Sequence, residues 1–438
     1  MEPLLPARPA GFSFLSVAEG RLTRYLQRVK LRENQVHPTG TGEVKGMVPS
    51  GEWSAICGRV VLADGILDDG MVVFQGERIL YVGPYLEEYG KRGLVQKTTG
   101  FIWPGLIDVH VHGAGGADVM DGTPSSLRTM AKTLARHGVT GFLATTMTMD
   151  RPRLERALAN VAAEAPRMRE GAEILGVHLE GPWICPRHRG AQNPAYISDP
   201  RPEDAEWAWN ASDGWLRWVT LAPERPGALE LIQLFADRGV VVSAGHTGAT
   251  YEEMQDAITA GVTHATHCFN AMTGLHHRQP GAVGAVLTDD RLTTEVIADG
   301  FHVHPAVIRL LAKVKDKDRL LLISDGIRAV GLPDGRYELG GLTVYAKEGK
   351  ATLEDGGLAG SLLTMDAAVR NIARYAHIPL WKAVRMASLV PAKKLGLDDR
   401  MGSLEIGKWA NIVMTDENCR VLRVWVKGRL IAEAEERE

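Results

Sequence analysis

Residues 105–113 read GLIDVHVHG, an apolar run that finishes on two imidazoles one residue apart. In a strand, side chains alternate faces and the backbone advances about 3.4 Å per residue, so His110 and His112 emerge on one side roughly 7 Å apart. Asp108 shares their parity. Their rings can converge on a point beyond the strand end. A polar, turn-forming end would read the same way in isolation, so the rest of the chain has to decide.

Seven further segments have strand character: TGFLAT (140–145), EILGVH (173–178), WLRWVT (215–220), VVVSAG (240–245), GVTHAT (261–266), TTEVIA (293–298) and LLLISD (320–325). Helical patterns fill most of the intervals. TPSSLRTMAKTLARHG places Thr123 as N-cap, Pro124 at the first helical position and Gly138 just past the end. TYEEMQDAITAG spaces Thr250 and Glu253 as a capping box. Eight strands alternating with helices predict a (β/α)8 barrel over residues 104–378; an open doubly wound sheet would account comfortably for only six.

The flanks differ. CGRVVLADGILDDGMVVFQGERILYVGP (57–84) breaks short β-rich segments at DG, DDG and QGE turns, and NIVMTDENCRVLRVWVKGRLI (411–431) repeats that texture. Residues 53–103 and 379–438 are therefore expected to build one small β-sandwich domain from both ends of the chain. Residues 1–52 are mixed in composition and read as a loosely ordered extension without chemistry of its own.

The 438 residues carry a formal charge of −3 with a pI near 6.6, which gives no reason to expect a nucleic-acid surface. Four widely spaced cysteines form neither a disulfide framework nor a CxxC knuckle, so a reducing, cytoplasmic setting is expected. There is no apolar run of membrane-spanning length and no basic start leading into an uninterrupted apolar region, so neither a membrane span nor a signal peptide is expected.

The polar residues that look chemical stand where strands finish: His110 and His112 on the first, Glu180 after the third, His246 after the fifth, His267 after the sixth and Asp325 on the eighth. In a barrel these positions share the C-terminal rim, where active sites are built. Imidazole nitrogens and carboxylate oxygens suit one or two divalent ions, Zn2+ or Fe2+ by donor type. A serine hydrolase would need G-x-S-x-G, and Gly360–Ser361 lacks that pentapeptide.

The motifs PGLIDVHVHG, HLEGPW, SAGHTGAT, THCFNAM, IADGFHVHP and ISDGI, in this order, resemble the amidohydrolase superfamily and within it the N-acetylglucosamine-6-phosphate deacetylase family. The likeness spans about residues 55–430. It implies a metal-dependent amide hydrolase in which Glu180, His246 and His267 hold the main ion and His110 and His112 complete a second site. It also implies that Asp325 moves the proton and that His302 meets the reacting carbonyl. Asn270, the backbone of Ala271 and Arg278 are implied to hold the 6-phosphate of an amino sugar, Arg278 from the neighbouring subunit of a homodimer.

One position departs from the family pattern: Gln192, in CPRHRGAQNP, stands where a pocket-lining histidine is expected. A glutamine can donate to a sugar hydroxyl but cannot become cationic. N-acetylgalactosamine 6-phosphate therefore stays open as the substrate, as does another N-acetylated or cyclic amide. A barrel that binds a ligand without catalysis is the remaining alternative.

Overall fold

The computed structural model describes residues 52–90, 94–316 and 318–434, so all but the last residue of the expected N-terminal extension lies outside the described residues. Eight parallel strands, Leu106–Val111, Val139–Thr145, Glu173–Glu180, Leu216–Leu221, Val241–Ala244, Val262–Ala265, Thr293–Ile297 and Leu320–Ile323, pair side by side in chain order. The first and eighth meet beyond their ends, where the Asp325 N–H donates to the His110 carbonyl (2.9 Å) and the His112 N–H to Gly326 (2.9 Å). The result is a nearly closed (β/α)8 barrel, with every strand within two residues of its sequence-based position.

The strands lie between the barrel interior and a helical layer, so both faces are buried and alternation gives way to continuous apolar runs. Leu106–Val111 and Val139–Thr145 are buried at every position. Helix Pro124–Ala135 begins where predicted, with the Thr123 hydroxyl accepting from the Ser126 N–H. Helix Tyr251–Ala260 carries the complete Thr250–Glu253 capping box. Polar side chains inside the barrel satisfy one another: His178 Nε2 meets the Thr220 hydroxyl at 2.8 Å, which meets Thr266 at 2.8 Å, which meets Ser243 at 2.5 Å.

The second sheet contains Ser54–Val61, Ile66–Gln75, Arg78–Pro84, Leu94–Pro104, Ile412–Thr415, Val421–Val426 and Arg429–Glu433. All its pairings are antiparallel except that of Ser54–Val61 with Leu94–Pro104, so it is a mixed sheet drawn from both ends of the chain. It curls around its own core, where Ile56, Val72 and Phe74 from one end join Ile412 and Trp425 from the other. Backbone bonds between Ile79 and Gly407–Lys408 (2.8 and 2.9 Å) close that curl. Gly100 is required here, because a Cβ would fall 2.2 Å from the Thr415 carbonyl oxygen.

Two features have no counterpart in the sequence reading. A three-stranded antiparallel sheet, Gly335–Leu339, Leu342–Lys347 and Lys350–Thr352, is inserted after the eighth barrel strand. Helices Leu380–Met386 and Leu389–Lys394 pack beneath the barrel, where the Ile107 N–H donates to the Ala387 carbonyl at 2.8 Å. No helix among the described residues is long and apolar enough to cross a membrane.

Candidate metal centre

Strand geometry delivers the rim residues to one place. His110 and His112 leave the first strand on the same side, and their ring centroids lie 5.2 Å apart. Glu180 ends the third strand, and the chain turns away at once through Gly181 (φ 70°). His246, His267 and Asp325 each occupy left-handed backbone (φ 47°, 27° and 49°), as do Phe269 and Ala271. Such conformations cost a non-glycine residue about 1–3 kcal/mol and persist only where the surroundings dictate them. Here they end the strands abruptly and aim the side chains over the barrel mouth.

Two groups of potential ligand atoms result, His110–His112–Asp325 and Glu180–His246–His267, each with its atoms within 4.8 Å of one another. Glu180 stands between them. Its Oε1 is 3.2 Å from His110 Nε2, 3.3 Å from His246 Nε2 and 3.4 Å from His267 Nε2, while Oε2 is 3.5 Å from His112 Nε2. Asp325 Oδ1 lies 3.2 Å from His112 Nε2 and 3.5 Å from His110 Nε2. His246 and His267 face each other Nε2 to Nε2 at 3.1 Å. Glu180 Oε1 and His110 Nε2 are buried without a hydrogen-bond partner.

Lone pairs crowded together among buried side chains, with no lysine or arginine ion-paired to Glu180 or Asp325 among the described residues, are what a cation would satisfy. The donor set fits divalent metal. The field of the site agrees. Burial works against ionisation of Asp325, but His110 and His112 outweigh it and hold the carboxyl below its ordinary range. His178, pushed down to about 3 by burial and by His110, stays neutral beneath the site.

The sequence reading missed Glu295. It sits inside the seventh strand, fully buried, within reach of His110 Nδ1 (3.1 Å) and His264 Nε2 (3.3 Å). A lone acid in the apolar run TTEVIA was the available signal.

The other expected residues divide. Asn270, Ala271, Gln192 and His302 line the same cavity as His112, Glu180, His246, His267 and Asp325. His302 Nδ1 pairs with Asp299 at 2.6 Å; burial opposes its charge, but that carboxylate outweighs the burial and raises its pKa. Asn270 Nδ2 donates to the His267 carbonyl at 3.2 Å. Arg278 is exposed and does not line the cavity. Gln192 is 2% exposed and engaged at both ends, its Nε2 donating to Glu180 Oε2 (2.5 Å) and its Oε1 accepting from the Thr148 N–H (2.7 Å). These two bonds brace Glu180, while the residue also borders the cavity where a sugar-facing role was expected of it. Trp183, three residues after Glu180, is core, packed on Phe235 with centroids 5.8 Å apart. Cys268 is buried in the barrel wall, its thiol pushed up to about 12 by burial.

A parallel barrel with two imidazole–carboxylate clusters at its C-terminal mouth defines a metal-dependent hydrolase. The profile of the Amidohydrolase family matches residues 101–431, and the chain belongs to that family. It is 44% identical over 333 residues to the N-acetylglucosamine-6-phosphate deacetylase of Vibrio furnissii, covering 76% of this chain and 83% of the relative. It is 40% identical over 372 residues to the N-acetylgalactosamine-6-phosphate deacetylase of Escherichia coli O157:H7, covering 85% and 97%. The crystal structure of N-acetylglucosamine-6-phosphate deacetylase from Pasteurella multocida superposes with a TM-score of 0.82 at 31% identity, covering 86% of this chain and 99% of that one.

Proposed function

We propose that this protein hydrolyses the N-acetyl group of N-acetyl-D-glucosamine 6-phosphate, giving D-glucosamine 6-phosphate and acetate. The observation that carries the proposal is the convergence of Glu180, His246, His267, His112 and Asp325 around one small cavity, with His110 buried directly behind them. That cavity measures about 190 Å³ and is lined by His112, Glu180, Asn270, His302 and Asp325, which suits a small polar substrate.

Glu180, His246 and His267 would hold one divalent ion, Zn2+ or Fe2+ by donor type, and His110 and His112 with Asp325 a second. Charge supports two ions. Glu180, Glu295 and Asp325 are three buried carboxylates whose ion-pair partners among the described residues are all histidines. A single divalent ion would leave that set negative. Bound divalent metal supplies Lewis acidity and lowers the pKa of water towards about 7.

The chain's own groups do the rest. Asp325, held ionised, accepts the proton of the attacking water and then delivers it to the departing amine nitrogen. His302, with one ring nitrogen tied to Asp299, directs its other N–H at the carbonyl oxygen where charge develops; a donor so placed contributes about 3–4 kcal/mol. Asn270 and the Ala271 backbone border the phosphate end. Arg278, exposed and away from the cavity of its own chain, serves the adjoining pocket of a homodimer. None of the four cysteines is paired, which supports a cytoplasmic setting.

The galacto epimer is the second reading, favoured by the likeness to the Escherichia coli enzyme and by the glutamine at position 192, whose amide is bonded to Glu180. Acetate release from the two N-acetylhexosamine 6-phosphates, unphosphorylated N-acetylglucosamine and an N-acetyl amino acid tests the proposal. The gluco phosphate should turn over fastest. Equal rates with and without phosphate would refute the substrate class.

A further inference from the structure

Glu295 carries an inference beyond the ligand set, and it rests on the metal-centre reading above. We infer that Glu295 is a positioning residue shared by both metal clusters, one of its oxygens fixing a histidine ligand of each. The oxygen is Oε2: it receives the ring Nδ1–H of His110 at 3.1 Å and the backbone N–H of His267 at 3.1 Å. The other oxygen, Oε1, faces His264 Nε2 at 3.3 Å, and His264 Nδ1 in turn meets the Thr293 hydroxyl at 2.6 Å.

The consequence for His110 is a matter of tautomer. With the proton committed to Nδ1, the lone pair is on Nε2, the atom that faces Glu180 and Asp325. A carboxylate behind a ligating imidazole fixes the ring's orientation and raises its basicity, and losing such a partner costs about 10- to 100-fold in metal affinity. The consequence for His267 is conformational. Its φ of 27° lies outside the comfortable region for a non-glycine residue. A backbone N–H tied to a carboxylate inside the barrel holds it there, so that Nε2 reaches Glu180 Oε1. The Cys268 N–H, bonded to the Glu295 carbonyl at 3.0 Å, secures the next residue to the same point. One side chain in the seventh strand thus registers the first strand's ligands against the sixth strand's.

The test uses the full-length protein and reads metal binding rather than turnover, so its failure would leave the substrate proposal standing. Glu295→Ala and Glu295→Gln are stripped of metal and titrated with Zn2+ against a chromophoric chelator, and the Co2+-loaded forms are compared by visible absorption. Glu295→Ala should bind both equivalents about 10- to 100-fold more weakly. Glu295→Gln keeps an acceptor oxygen for His110 and His267 and should recover part of that loss. The Co2+ band should shift in both variants. Wild-type affinity, or a loss confined to one of two equivalents, overturns the claim that one oxygen serves both clusters. If Glu295→Ala fails to fold, Glu295→Gln decides alone: an unchanged titration with an unchanged Co2+ band overturns the inference, and a weakened titration at both equivalents sustains it.

Discussion

Replacing Gln192 by leucine separates two roles that a cavity-lining glutamine can have. The substitution roughly preserves volume and removes two bonds, the amide donation to Glu180 Oε2 at 2.5 Å and the acceptance from the Thr148 N–H at 2.7 Å. The assignment of nitrogen and oxygen is dictated by the network, because only the carbonyl end can accept from a backbone N–H. A bond to an ionised carboxylate contributes about 1.5–3 kcal/mol, and a neutral one about 0.5–1.5. The first loss frees Glu180 to rotate, and at about 1.4 kcal/mol per factor of ten it predicts metal affinity weakened about 10- to 100-fold. The second leaves a buried N–H unmet and lowers stability by about 1–3 kcal/mol. The assay is chelator competition alongside steady-state kinetics at saturating metal, where kcat and KM should recover towards wild type. A raised KM with unchanged metal affinity would refute the reasoning, since it would mean that Gln192 holds the sugar.

Other consequences follow from the same geometry. Asp325→Asn should keep its fold and the ion of the Glu180–His246–His267 group, which does not use it, but lose about 10²- to 10⁴-fold in kcat, measured as acetate release; retained turnover would remove the proton-transfer role. Chelation of the metal should lower the melting temperature, and an ion at 1,000 times its Kd should restore about 4 kcal/mol of stability, seen as a reversible shift on readdition. Asp318 receives two bonds from Arg385 (2.5 and 2.6 Å) and one from Lys393 (2.6 Å), which overcome its burial and lower its pKa to about 2. Because the folded pKa lies below the unfolded one, this stability is complete above about pH 4 and disappears as pH falls towards 2. Asp318→Asn, which tolerates the same positive φ, should therefore cost about 1–2 kcal/mol at pH 7 after allowance for solvent screening. That difference should close by pH 2–3 in urea titrations; a pH-independent difference would contradict the assignment. Gly100→Ala should destabilise the small sheet by about 3 kcal/mol through collision with Thr415 and Asp416, seen as a lower unfolding midpoint.

How legible each part was depends on how local its cause is. The eight barrel strands stood out because burial on both faces writes them as continuous apolar runs, and the helices announced their starts at Thr123 and Thr250 through caps that act within one turn. The candidate metal ligands were legible because each polar residue closes an apolar run, where packing gives it no reason to be. The inserted sheet at 335–352 was open to a local reading, with glycine turns between short β-rich segments. What no local pattern could show is that its Leu339 borders the same cavity as Glu180, His246 and Asp325.

Gln192 and Glu295 mark the boundary. Both were plain letters in the sequence, one tied to a sugar by family resemblance and the other passed over as part of a strand. Their roles depend on atoms 12 to 185 residues away in the chain. From sequence alone follow the alternation of strands and helices, the polar residues at strand ends and the chemistry those donors favour, because periodicity, capping and donor type are properties of neighbouring residues. Only the tertiary structure decides which oxygen of Glu180 faces which imidazole, which side chain braces it and which carboxylate stands behind His110. Those relations arise when barrel closure brings distant strand ends within hydrogen-bond reach, and hydrogen bonds form over a few tenths of an ångström that no spacing of letters records.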